Sequence, residues 1–140
     1  MKPTRVILHC SATPDYSEGS RLFDRFGASD IDIWHKRRNF SKIGYHRVIR
    51  RSGVWEVGRE YHEQGAHCLG HNGDSIGICL IGTKDFTESQ IISLKELSYE
   101  IERLFGIGVD NWFLHCEFNQ HKTCPNLPKG ILRYILRSTM

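Results

Sequence analysis

Three residues combine side chains that bind a divalent ion with positions that would hold them still. His9 closes the apolar run Arg5-Val6-Ile7-Leu8 and His115 closes Trp112-Phe113-Leu114. Cys124 lies nine positions beyond His115 (124 minus 115). Neutral imidazole and thiolate are donors that zinc prefers, and three of them leave a fourth position for water. Strand ends suit such ligands, because a rigid sheet fixes their direction while their tips reach an open edge. Eight histidines in 140 residues also form such triples by chance. Spacing alone therefore leaves open that His9 is a satisfied core histidine.

The elements needed to position these residues are legible as short strands alternating with amphipathic helices. Residues 5–9 form a compact apolar run of strand length. Residues 11–27, rich in Ser, Gly, Asp and Pro, predict a long loop. Ser29 is the expected N-cap of a first helix that runs to about Arg38, with Asp30 and Asp32 in its opening turn. Residues 45–51 and 54–58 read as a hairpin turning at Ser52-Gly53. Residues 61–74 carry three histidines and no period, hence a loop. The run Ser75-Ile76-Gly77-Ile78-Cys79-Leu80-Ile81 suits a strand covered on both faces. Thr87-x-x-Gln90 is a capping box for the strongest helix, with Ile91, Leu94, Leu97, Ile101 and Leu104 expected inward. Residues 109–115 predict a last strand. Pro128 then opens a final helix with Ile131, Leu132, Ile135 and Leu136 inward. The expected class is α/β, a single domain over 1–140 with a mixed central sheet of about five strands flanked by about three helices.

Composition narrows the functions open to such a chain. A hydrophobic share of 39% and a charged share of 25% are those of an ordinary globular protein. At this length roughly 70% of the unfolded surface is buried on folding, enough for a core without disulfide staples. The net charge of +3 gives no case for nucleic acid. The basic clusters at Lys36, Arg37, Arg38 and at Arg47, Arg50, Arg51 are expected to be solvated faces. No run of 18 apolar residues exists, which argues against membrane insertion. The opening residues lack a signal-peptide core, so synthesis in the cytoplasm is expected. Five cysteines make a disulfide framework improbable. Cys79 reads as core, and Cys10 and Cys116 as small buried thiols on the face opposite the neighbouring histidines.

His9-Cys10-Ser11-Ala12-Thr13 resembles the opening motif of the zinc-type N-acetylmuramoyl-L-alanine amidases, a superfamily that includes small phage lysozymes and the animal peptidoglycan recognition proteins. Ile33-Trp34-His35-Lys36, Gly44-Tyr45-His46, Gly53-x-Trp55-Glu56-x-Gly58-Arg59, Gly65-Ala66-His67 and Asn72-x-x-Ser75-Ile76-Gly77 follow in that family's order. His115-x-Glu117-Phe118 and Lys122-Thr123-Cys124-Pro125 complete it. The resemblance implies a mixed sheet with helices on its faces and zinc held by His9, His115 and Cys124. It implies Tyr45 and Lys122 as the polar groups that assist catalysis, and bacterial peptidoglycan as the substrate. The segment from His115 to Cys124 holds one residue more than is usual, which makes Cys116 a formal rival to His115. Glu117-Phe118 at the family spacing favours His115.

Around that centre, His67 and Asn72 are expected either to line a substrate groove or only to shape their loop. His35 has packing or groove contact open to it. Glu117 reads as a carboxylate that orients a ligand, and His46, His62, His71 and His121 as histidines without a specific duty. Two competing functions stand beside the amidase. A wall-binding module that does not cut typically lacks the cysteine, which is present here. A purely structural zinc wants four protein ligands with close CxxC pairs, and none occurs. The chain is expected to act as a monomer on the cell wall after release of the phage type.

Overall fold

Six hydrogen-bonded residues, Arg5–Cys10, form β1 at the interior of the sheet. In the computed structural model, which describes residues 1–128 and 130–138, the elements that follow are α1 (Ala28–Arg37), β2 (Arg47–Ile49), β3 (Trp55–Val57) and β4 (Ser75–Leu80). Then come α2 (Glu88–Phe105), β5 (Trp112–Leu114) and α3 (Ile131–Arg137). Strand order is β3-β2-β4-β1-β5. β1 runs parallel to β4 and β5, and β2 runs parallel to β4, while β3 is the antiparallel edge. The α/β class with a mixed five-stranded sheet and three helices is as expected. The single-domain reading runs to residue 140, and residues 129, 139 and 140 lie outside the described ones.

The sheet is apolar on both faces because helices cover both. Val6, Leu8, Ile76, Ile78 and Leu80 point to one face, where Leu94, Leu97 and Ile101 of α2 and Leu132 and Leu136 of α3 pack on them. Val48, Cys79 and Ile81 point to the other, under Ile31 of α1 and Ile43. Each fully buried side chain of this size contributes about 1.5–3 kcal/mol. Four parallel strands also bring their C-terminal ends to one edge. In open α/β sheets that edge is where ligands bind.

Helix ends explain several differences from the sequence reading. The N-cap of α1 is Gly27 rather than Ser29: Asp30 reaches back to the Gly27 N–H at 2.9 Å, and Glu56 accepts the Ala28 N–H at 2.9 Å. A carboxylate from β3 does what the serine was expected to do. β5 is shorter than residues 109–115, because single 3-10 turns at Val109–Asn111 and His115–Glu117 flank it. The hairpin pairs only three residues on each strand. α3 starts at Ile131, whose N–H is accepted by the Pro128 carbonyl. Leu132 and Leu136 alone are buried there, and Leu104 at the end of α2 is 52% exposed, beyond the reach of the sheet.

The capping box of α2 is present as expected, with Gln90 N–H donating to Thr87 Oγ1 at 3.1 Å and Thr87 N–H to Gln90 Oε1 at 2.9 Å. Gln90 Nε2 then donates to the Ile81 and Ile49 carbonyls, so the cap also ties α2 to β4 and β2. Thr87→Ala is expected to cost about 1–2 kcal/mol, lowering Tm by about 3–8 °C. An unchanged thermal melt would remove the cap from the account of stability.

Two of the basic residues expected at the surface are buried. Arg51 donates to the Tyr16 carbonyl at 2.9 Å and the Asp85 carbonyl at 2.8 Å, joining the loop of residues 11–27 to the start of α2. Arg47 lies 3.7 Å above the Tyr61 ring and donates to the His46 carbonyl. Arg51 is also paired with the Asp15 carboxylate at 3.5 Å, whereas Arg47 has only carbonyl and ring partners and its Nε is left without one.

Candidate active site

β1 ends at the open edge with His9 and Cys10, and the chain beyond β5 turns at once into the 3-10 turn that begins with His115. Glu117 accepts the Leu114 N–H at 2.7 Å and so stiffens that turn, a backbone cap rather than a bond to an imidazole. The chain then crosses the edge of the sheet and returns, with Cys116 N–H donating to the Cys124 carbonyl at 2.9 Å. These connections bring one atom each of His9, His115 and Cys124 within 4.8 Å of one another. The His9 and His115 rings lie 4.4 Å apart. Cys116, the formal rival, packs against the hydrophobic core on the α2 side.

The donor set suits zinc on chemical grounds. Burial first, and then the neighbouring imidazoles of His67 and His115, hold His9 well below the usual imidazole range, so it is neutral with a free lone pair. His115 is lowered too, by burial and then by the ammonium of Lys122. The Cys124 sulfur accepts the Cys10 N–H at 3.0 Å, a contact that favours a thiolate. Cys10 departs from the sequence reading. Its thiol is buried as expected but borders the cavity beside Cys124, because the strand ends at Cys10 and the chain turns at Ala12 with φ 57°. The neighbouring Cys124 lowers the Cys10 thiol to about 7, while Cys10 and then burial raise that of Cys124.

The three ligand atoms border a cavity of about 760 Å³ that opens to solvent. Tyr45 stands beside His9 with ring centroids 5.0 Å apart, and burial raises its hydroxyl well above the usual range, so it remains a donor. Lys122 is exposed at the cavity. His35, His67 and Asn72 border the same cavity, and each is also tied to the backbone. His35 Nδ1 accepts the Gly44 N–H at 2.9 Å, steadying the loop before Tyr45. Asn72 Oδ1 accepts the N–H groups of His67 and Cys68, each at 2.9 Å.

Some residues at the cavity have no place in the sequence reading. Arg38 and Phe40 border it, with the guanidinium 5.1 Å above the ring. The only signal for Arg38 was its basic cluster, which reads equally well as a solvated helix end. No Asp or Glu lines the cavity among the described residues. His46, expected to do nothing specific, is fully buried: its Nδ1 accepts the Gly77 N–H at 2.9 Å and its Nε2 donates to the Glu63 carbonyl at 2.7 Å.

Comparison with known proteins agrees with this architecture. The profile of the N-acetylmuramoyl-L-alanine amidase family matches residues 1–127. The chain belongs to that family. It is 34% identical over 107 residues to an endolysin of Klebsiella phage KP32, covering 71% of this chain and 66% of the relative. It is 38% identical over 100 residues to the endolysin of Escherichia phage T7, covering 66% of this chain and 62% of the relative. The chain thus spans slightly less than two thirds of these curated relatives. Among solved structures, the amidase LysC of Clostridium intestinale superposes with a TM-score of 0.80 at 26% identity, covering 99% of this chain and 87% of that one. Drosophila PGRP-LB follows at 0.77 and 25% identity, covering 89% and 76%. Among the described residues of this amidase-family chain, no helix is long and apolar enough to cross a membrane.

Proposed function

We propose that the chain is a peptidoglycan hydrolase that cleaves the amide between the lactyl group of N-acetylmuramic acid and L-alanine, with zinc held by His9, His115 and Cys124. The observation that carries this reading is the convergence of two imidazoles and one thiol, within 4.8 Å of one another, at the wall of an open cavity. Three protein donors make up a hydrolytic zinc site, whereas structural sites close with four. When bound, zinc supplies Lewis acidity, polarising a carbonyl and lowering the pKa of a coordinated water from 15.7 towards about 7.

The remaining work falls to this chain's own groups. Oxygen gains negative charge as water adds to the scissile carbonyl, and the Tyr45 hydroxyl, kept protonated by burial, would donate to it. The Lys122 ammonium, which also lines the cavity, would oppose the same charge. As the C–N bond breaks, the nitrogen leaves with a proton and the new carboxyl stays with the sugar. His35, His67 and Asn72 border the space in which sugar and stem peptide would lie. Arg38 and Lys122, with no carboxylate beside them in the cavity, suit a peptide that carries free carboxyl groups. The protein works as a monomer on bacterial cell wall, is made in the cytoplasm, and requires no nucleic-acid or membrane partner.

Chelator reversal on purified peptidoglycan tests the reading. Treatment with a strong chelator should end the appearance of new L-alanine amino groups, and equimolar zinc should restore it. Mass spectrometry should find intact stem peptides released from N-acetylmuramic acid. Zinc-loaded protein that binds the wall but frees no amine would make the chain a binding module and overturn the hydrolase.

A further inference from the structure

His9 has a second imidazole behind it. Its Nε2 lies 2.9 Å from His67 Nδ1, with the rings nearly perpendicular at 89°. His67 Nε2 in turn lies 3.2 Å from the Ser75 hydroxyl oxygen and 3.5 Å from the Ser75 carbonyl oxygen. The Ser75 hydroxyl donates its own proton to the His71 carbonyl, so towards His67 it offers only lone pairs. A carbonyl oxygen likewise only accepts. Both neighbours of His67 Nε2 therefore require that this nitrogen carry the hydrogen. A neutral imidazole has one N–H and one bare nitrogen. Nδ1 of His67 is then bare, His9 Nε2 donates to it, and the bare nitrogen of His9 is Nδ1.

We infer, taking the zinc reading above as given, that His67 is a positioning residue that sets the tautomer and ring direction of His9, leaving His9 Nδ1 free for the ion. The surrounding fold is built to hold the His67 ring there. Ser75 and Gly77 share one face of β4, and a Cβ at position 77 would lie 2.5 Å from His67 Cγ. Only glycine leaves that berth open. Asn72, by accepting the His67 and Cys68 N–H groups, fastens the loop from which the ring projects. The chain Ser75–His67–His9 thus runs from β4 to the metal centre.

Removing a partner that orients a metal ligand weakens metal binding by about 10–100-fold. Competition with a chromogenic chelator measures this on the purified chain, and melting of the zinc-free proteins checks that the variants fold. His67→Ala should bind zinc about 10–100-fold more weakly than the parent. His67→Asn places an amide oxygen near the lost Nδ1 and should stay within about threefold of the parent, whereas His67→Gln places its polar end near Nε2 and should not. Parent affinity in His67→Ala, or equal affinity in the Asn and Gln variants, overturns the positioning role. A raised KM with unaltered zinc binding would also overturn it and return His67 to substrate contact. Failure of the parent chain to take up zinc would sink the metal reading itself, a different result from failure of the variant series alone.

Discussion

Cys124→Ser is expected to lower kcat/KM on purified peptidoglycan by about 10³-fold or more, with zinc content falling in parallel. A serine hydroxyl stays protonated at neutral pH and is a poor partner for zinc, whereas a thiolate supplies the one negative charge among the three donors. The hydroxyl can still accept the Cys10 N–H, now 3.0 Å from the sulfur, so the backbone crossing beside β1 should survive. The zinc-free variant should therefore melt close to the zinc-free parent. Cys116→Ser is the matched control. Its side chain packs on the core side and should leave activity intact. Zinc and activity retained in Cys124→Ser, together with loss in Cys116→Ser, would shift the centre by one turn of the loop.

The second large effect concerns the two groups placed around the developing oxyanion. Tyr45→Phe and Lys122→Ala should each lower kcat by about 10²–10³-fold, or about 3–4 kcal/mol, as do other deletions of one oxyanion donor. Zinc content should be unchanged in both, since neither side chain is a ligand. Tyr45→Phe keeps the ring beside His9 and removes only the hydroxyl, whose burial holds it protonated. Lys122→Arg keeps the charge and should recover part of the loss. Single-turnover measurements with zinc quantified separate these effects from metal loss. Full activity in both deletions would clear the two residues of any part in the chemistry.

How much of this was legible depended on the range of the interaction that decides each feature. β1, β4 and α2 were read correctly because their signals are local: continuous apolar runs, and a cap whose partners lie three residues apart. The convergence of His9, His115 and Cys124 was legible for a related reason, since each imidazole closes an apolar run and motif order supplied the cysteine. Long-range hydrogen bonding was not legible. Arg51 is buried because carbonyls from Tyr16 and Asp85, far apart in sequence, converge on one guanidinium. Ser29 lost the cap of α1 because Glu56 of another element reaches the first turn. Cys10 was misread because strand alternation stops where the chain turns at Ala12. His46 carries no periodic signal, and only the packed sheet shows the amide and carbonyl that it bridges.

The interior position of β1 has a kinetic consequence. Its residues Val6, Ile7 and Leu8 are inaccessible and paired on both sides, so their amides exchange only when the whole domain opens. Residues 120–123 are exposed, and exposed loops open at lower free energy than core strands. The cavity therefore lies between a core strand and an exposed loop, whose amides should exchange at different rates. Cys124 is nevertheless tied to β1 through the Cys10 N–H and to the turn after β5 through the Cys116 N–H, so the two sides of the cavity meet at a junction that is already fastened.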